Sequence, residues 1–183
     1  MNGTYRQILR GVCLTVLACI MMTVQARAEI NYNLLYHWQY QPNNVKQNLV
    51  TQNTNIRVVD DFQYYDPTLA DVYGLTTMQV IPNTDIVTSV DVQIKKGCEF
   101  CLTHEVGHCI SNCNHSVYWW CYRPEFVQIW LAERDRSALL IGVRDDIREY
   151  FAESYNLYIK FPQLLKVACP STYNYIKVVL KYT

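Results

Sequence analysis

Histidine is scarce in this 183-residue chain, with four in all, yet His104 and His108 stand four positions apart with Glu105 directly after the first. They lie in Cys101-Leu102-Thr103-His104-Glu105-Val106-Gly107-His108-Cys109, a segment of helical character. On a helix, residues i and i+4 share a face. Both imidazoles can therefore hold one Zn²⁺, while Glu105 points toward the position where a water would sit. Water on such an ion has a pKa of roughly 7, and a carboxylate in hydrogen-bond reach can take its proton during attack on a carbonyl. Two ligands on one helix do not complete a catalytic zinc site. A third must come from elsewhere, and the fold has to bring it to this helix.

Three candidates for that ligand can be weighed. A histidine six residues past the motif, preceded by a glycine three residues past it, is one known solution, but Ser111 and Asn114 occupy those positions and His115 is one residue out of place. The second solution is a glutamate on a later helix with an acid four residues on, able to hydrogen-bond a zinc-binding histidine from behind. Glu149-Tyr150-Phe151-Ala152-Glu153 supplies both on one helical face. Taking Glu153 as the ligand instead would put Leu157 in the supporting position, where no hydrogen bond can form. Glu149 is thus the expected third ligand and Glu153 the orienting carboxylate.

Around these residues the patterning predicts an α+β chain. β-Branched residues dominate Asn55 to Asp60, Thr76 to Ile81 and Val87 to Ile94, and in the last of these Val90, Val92 and Ile94 alternate with Asp91 and Gln93. These read as strands, with Pro82-Asn83-Thr84-Asp85 turning the second into the third as a hairpin. After Gly97 the pattern becomes helical. Helices are predicted over Glu125 to Leu140, Asp145 to Lys160 and Ser171 to Lys181, each with a proline or an acidic residue near its start. A small sheet followed by the motif-bearing helix and a mainly helical C-terminal part is the expected layout.

The N-terminus describes an export signal. Arg6 and Arg10 precede the apolar run Gly11 to Val24, and Ala26-Arg27-Ala28 offers a small-residue cleavage site. A rival site at Cys19, of the lipoprotein kind, is followed by further apolar residues, Ile20 to Met22. Removal of residues 1–28 would leave one domain, 29–183, with no later run long enough to span a membrane. The mature chain would carry 13 basic and 16 acidic residues, a net charge of −3, which gives no footing for nucleic acid. It is expected to be secreted, either extracellular or periplasmic. Six cysteines would remain: Cys98, Cys101, Cys109, Cys113, Cys121 and Cys169. An even count in an exported chain favours disulfides, here flanking the motif-bearing helix. Asn114-His115-Ser116 also fits a glycosylation acceptor.

Three segments in order resemble a known family, the anthrax lethal factor catalytic domain and the secreted Pro-Pro endopeptidases. They are Leu102 to His108; Glu149-Tyr150-Phe151-Ala152-Glu153-Ser154-Tyr155, similar to E-F-F-A-E-A-F; and Pro170-Ser171-Thr172-Tyr173-Asn174-Tyr175-Ile176, similar to P-x-T-F-x-F-I. The resemblance spans roughly Gly74 to the C-terminus. It implies a compact zincin-like (gluzincin) fold with a strand before the active-site helix, the third-ligand role for Glu149, and zinc-dependent endopeptidase activity on protein or peptide substrates, with prolines near the scissile bond in several members. One departure stands out: where the family places a tyrosine seven residues before the third ligand, to stabilise an oxyanion, this chain has Gly142. Arg144, or a tyrosine from elsewhere, would have to replace it. Two functions follow, a secreted endopeptidase or a zinc-binding effector whose peptidase site is weak or inactive. The aromatic cluster Tyr118-Trp119-Trp120-Cys121-Tyr122 reads either as cleft wall or as core.

Overall fold

A central strand organises the molecule. In the computed structural model, which describes residues 31–62, 69, 71–84, 86–112 and 120–183, β3 (Val87–Lys95) lies between β1 (Thr54–Val59) and β2 (Gly74–Val80). It pairs parallel with β1 and antiparallel with β2. Val90, Val92 and Ile94 on one face of β3 are buried, while Asp91 on the other accepts hydrogen bonds from Asn55 and Arg57. That alternation is what a half-buried strand requires. The predicted β2–β3 hairpin forms, with a register irregularity at Gln79/Val80 and Asn83 in the left-handed region at φ 62°. Asp85 of that turn, the expected signal segment 1–28, Cys113 and the Asn114-His115-Ser116 acceptor lie outside the described residues.

The described residues from Asn33 onward form one compact unit. Two helices precede the sheet, α1 (Tyr32–Gln39) and α2 (Asn43–Thr51), for which the strand-then-helix expectation had no place. Gln41 between them is buried, accepting from Tyr155 Oη at 2.7 Å and donating to Thr103 Oγ1 at 3.0 Å. This polar link ties the N-terminal part to both helices that carry the candidate site.

After the sheet comes α3 (Leu102–Ser111), whose Leu102, Val106, Cys109 and Ile110 enter the core. The next helix, α4 (Pro124–Glu133), stops seven residues before the predicted Leu140. It ends in a turn that aims Glu133 inward. That carboxylate is buried and accepts from Ser171 N at 3.0 Å, Thr172 N at 2.9 Å and Thr172 Oγ1 at 2.9 Å. Burial would raise Glu133, but the amide bonds from Thr172 and Ser171 outweigh it and hold the carboxyl below its usual range. It thereby caps α7 (Pro170–Val179), whose first-turn N–H groups have no partner within the helix.

The long helix α5 (Ile147–Lys160) starts at Asp146, whose side chain accepts from Arg148 N at 2.8 Å, and buries Tyr150, Phe151, Ala152 and Tyr155. A short α6 (Pro162–Ala168) connects it to α7. Helices α3 and α5 are packed unusually close. A Cβ built on Gly107 would sit 2.7 Å from Ala152 Cα and 2.8 Å from Ala152 O.

The cysteines depart from expectation. No disulfide forms among the described residues: Cys98, Cys101, Cys121 and Cys169 are reduced, and Cys109 joins no described cysteine. With four of six reduced, the expected three bridges are not present. Cys121 and Cys169 are fully buried and serve the core, as small apolar groups with a weak donor. Cys109 Sγ lies 3.5 Å from Glu105 O, Cys169 Sγ 3.8 Å from Glu133 O and Cys101 Sγ 3.4 Å from Tyr73 O. Burial pushes the Cys101 thiol up to about 12, with the nearby Glu105 charge adding to it.

Candidate active site

Helix α3 presents His104 and His108 one turn apart, with their ring centroids 5.0 Å apart. Helix α5 crosses close enough for Glu149 to reach both. Glu149 Oε2 lies 3.1 Å from His104 Nε2, and Oε1 lies 3.5 Å from His108 Nε2. One donor atom from each of the three residues falls within 4.8 Å of the others, the only such group of metal-capable side chains among the described residues. One turn further along α5, Glu153 Oε2 lies 2.9 Å from His104 Nδ1, and Asn156 Nδ2 donates to Glu153 Oε1 at 3.0 Å. Holding Nδ1 from behind turns Nε2 toward Glu149, the arrangement expected behind a metal-binding imidazole.

Charge favours a cation at this point. Burial disfavours a charged His104, but Glu149 and Glu153 outweigh it and raise the imidazole to about 9. Glu149 is held far below the usual carboxylate range by hydrogen bonds from His104 and His108. An environment that holds a proton between imidazole and carboxylates also suits a metal ion. Two imidazole nitrogens and one carboxylate oxygen match the donor set of a divalent metal with an open position.

The cluster floors a cleft of about 870 Å³. Residues of β2 from Gly74 to Val80 line one wall, and Tyr73, Phe100 and Lys160 also belong to the lining. Glu105 faces that wall. Thr76 Oγ1 donates to Glu105 Oε2 at 2.7 Å, and Gly74 has no room for a side chain, since its Cβ would fall 2.5 Å from Glu105 Oε1. All five expected residues, His104, Glu105, His108, Glu149 and Glu153, thus meet in one cleft.

Other expectations fare differently. Arg144 does not reach the cleft, because Asp135 at 3.4 Å and Asp145 at 3.6 Å hold its guanidinium elsewhere. Arg148 does line it, with its guanidinium bonded to both oxygens of Asp146 at 3.2 and 2.7 Å. Gly142 sits in a 3₁₀ turn, Ile141–Val143, with open space around its Cα. Of the aromatic cluster, Trp120 and Cys121 belong to the core, where Arg123 stacks over the Trp120 ring at 3.7 Å; Tyr118 and Trp119 lie outside the described residues. Gly74, Thr76 and Asn156 escape a reading of the sequence. Each acts through a contact between elements distant in the chain or on an unrecognised neighbouring turn, and only the placement of a glycine and a threonine two apart on β2 offered a signal.

Comparison with known proteins bears on the fold and the family. The solved structure of a Pro-Pro endopeptidase from Paenibacillus alvei superposes with a TM-score of 0.55 at 21% identity, covering 86% of this chain and 95% of that one. The zincin-like α+β fold expected from the sequence is therefore present. No curated protein sequence matches the chain. The profile of the family described as anthrax toxin lethal factor, N- and C-terminal domain, matches residues 24–179, and the chain belongs to that family.

Proposed function

We propose that the chain is an exported, zinc-dependent endopeptidase, in which His104, His108 and Glu149 hold the ion, Glu105 is the general base and Glu153 orients His104. The observation that carries this reading is the meeting of three donor atoms within 4.8 Å, beside Glu105, in a cleft of about 870 Å³. Zinc bound there would supply a Lewis acid that brings the pKa of water down to roughly 7. The remaining work falls to the protein. Glu105 takes a proton from the attacking water and returns it to the leaving amine, a role that suits a carboxylate facing the cleft. Glu153 keeps His104 in the tautomer that leaves Nε2 free to ligate.

Substrate placement follows from the sheet. With the order β1-β3-β2, β2 is an edge strand along the cleft wall, and its outward backbone groups can pair with an extended peptide. Such pairing would lay a backbone across the His104–His108–Glu149 cluster without selecting the chain's ends, which favours cleavage within a peptide. Family membership, and the likeness in fold to an enzyme named for Pro-Pro cleavage, support bonds near prolines as the first to try. Arg148 lines the cleft and is next to Glu149 in sequence, which makes it the cation to test in place of the absent tyrosine.

Export rests on residues 1–28, and mass spectrometry of the secreted form should find Glu29 as its first residue. The activity is tested by incubating the mature chain, loaded with zinc, with a proline-rich peptide library, with and without a chelator. Cleavage that the chelator abolishes is the expected result. Intact peptides at full zinc occupancy would refute the enzyme and leave a zinc-binding effector.

A further inference from the structure

The general base must be held toward the cleft rather than toward its own helix. A glutamate side chain has three rotatable bonds, and on the first turn of α3 nothing in that helix fixes Glu105. What does is the neighbouring strand. Gly74 and Thr76, two apart on β2 and therefore on one face of it, both meet the Glu105 carboxylate. The Thr76 hydroxyl donates to Oε2 at 2.7 Å and lies 3.3 Å from Glu105 O, so it spans the side chain and its own backbone. Oε1, Cδ and Cγ fill the space above Gly74 Cα, at 2.5, 2.8 and 2.7 Å from where a Cβ would stand. Glu105 as a residue is only 5% exposed, although it borders a cleft.

We propose that Gly74 and Thr76 form a seat on β2 that positions the Glu105 carboxylate, making the substrate-binding wall and the placement of the base one structural unit. Gly74 supplies the volume and Thr76 the single hydrogen bond that selects one rotamer. The hydroxyl commits Oε2, and Oε1 rests over Gly74 Cα. Because β2 is also the edge on which an extended peptide would pair, substrate and base are referenced to the same strand. Neither residue is assigned a contact with the substrate or the ion. Both are positioning residues acting through Glu105, and the inference rests on Glu105 being the base of the proposed hydrolysis.

The test uses the mature, zinc-loaded chain and the variants Thr76→Val, which keeps the shape and loses the hydroxyl, Thr76→Ser, which keeps the hydroxyl, and Gly74→Ala. On a cleaved peptide, Thr76→Val should lower kcat by about 10- to 100-fold, as expected when a reacting group is misplaced by a fraction of an ångström to about 1 Å. Its KM and zinc content should stay within about twofold of wild type, the pattern of an interaction used in the transition state and not in binding. Thr76→Ser should recover most of the rate, and Gly74→Ala should lose at least as much as Thr76→Val. Wild-type kcat in Thr76→Val, or a serine variant no better than the valine one, would overturn the seat. Should Thr76→Val fail to fold, Thr76→Ala makes the same comparison with serine. Crystal structures of wild type and Thr76→Val read the seat independently of turnover: the Glu105 carboxylate should leave its place over Gly74, and a carboxylate that stays there refutes the inference. If the wild-type chain cleaves nothing, the proposed function has failed, and the crystallographic comparison still decides this one.

Discussion

Gly107 is the residue at which a single methyl group should do the most damage to the site. It faces Ala152 across the α3–α5 contact, and an alanine there would put Cβ 2.7 Å from Ala152 Cα and 2.8 Å from Ala152 O, where ordinary contact begins at 3.4 Å. The atoms in the way are backbone, so no side chain can swing aside, and the helices must part by about 0.7 Å. Helix α3 carries His104 and His108; α5 carries Glu149 and Glu153. The shift therefore opens the ligand set itself, against a tolerance in metal–ligand distance of about 0.2 Å. Zinc affinity should fall by roughly 10- to 100-fold, the range seen when ligand geometry is disturbed. Stability responds less clearly, because overpacking costs about 1–3 kcal/mol while alanine gains up to about 1 kcal/mol over glycine in a helix. The net change in Tm is then between zero and a loss of about 12 °C for a domain of this size. Competition with a fluorescent zinc chelator is the decisive assay. Gly142→Ala is the control, since its Cβ would meet nothing within 4 Å and should leave both quantities unchanged. A Gly107→Ala protein that binds zinc as tightly as this control would refute the reasoning.

The roles within the site should separate by substitution. Glu105→Gln keeps the donor set and should retain zinc while hydrolysis slows about 10²- to 10⁴-fold, measured by metal analysis and peptide turnover. Glu149→Ala, removing one of three ligands, should lose both zinc and activity under mild chelation, and Glu153→Ala should weaken metal affinity or activity by roughly 10- to 100-fold; a Glu153→Ala protein that empties while Glu149→Ala stays loaded would move the third ligand one helical turn. Glu133 governs acid stability. Its folded-state pKa lies below its unfolded one, so its contribution is complete above the ordinary glutamate pKa of about 4.3 and is lost as pH falls through the lower folded value. Glu133→Gln should cost about 1–3 kcal/mol at pH 7 in urea unfolding and flatten the decline of stability below pH 4; an unchanged midpoint would contradict the capping role of this buried carboxylate.

Much of the site was legible because its chemistry is periodic. His104 and His108, like Glu149 and Glu153, are i, i+4 pairs, and a pair at that spacing declares both its helix and its face. The alternation Val90, Val92, Ile94 in the same way declared β3 and its buried side. Elements without such period were harder. Helices α1 and α2 are only eight and nine residues long and N-terminal to the expected sheet, and α4 ends at Glu133 because that carboxylate is drawn to the start of α7, a tertiary contact that no local pattern between Glu125 and Leu140 announces. Cysteine counting meets a related difficulty. Parity says that thiols can pair, but pairing requires proximity, and among the described residues Cys121 and Cys169 are absorbed into the core as apolar volume.

The residues that set the geometry of the site are its smallest ones, and this explains why motif and mechanism can be read from the sequence while distances cannot. Charged and imidazole groups state which atoms converge. How closely they converge is decided by Gly107 against Ala152 on one side and by Gly74 against Glu105 on the other. The first contact fixes the separation of α3 and α5, hence the distances from His104 and His108 to Glu149. The second fixes how near β2 comes to α3, hence where the base stands relative to a peptide on the edge strand. Neither glycine has a positive φ that would mark it as a turn residue; each is required because another group occupies the space of its Cβ. In sequence they look like ordinary helix and strand glycines, destabilising by up to about 1 kcal/mol relative to alanine. Their presence in two regular elements that face the same carboxylates and imidazoles is what a chain gives up in local stability to bring three elements within ligating distance.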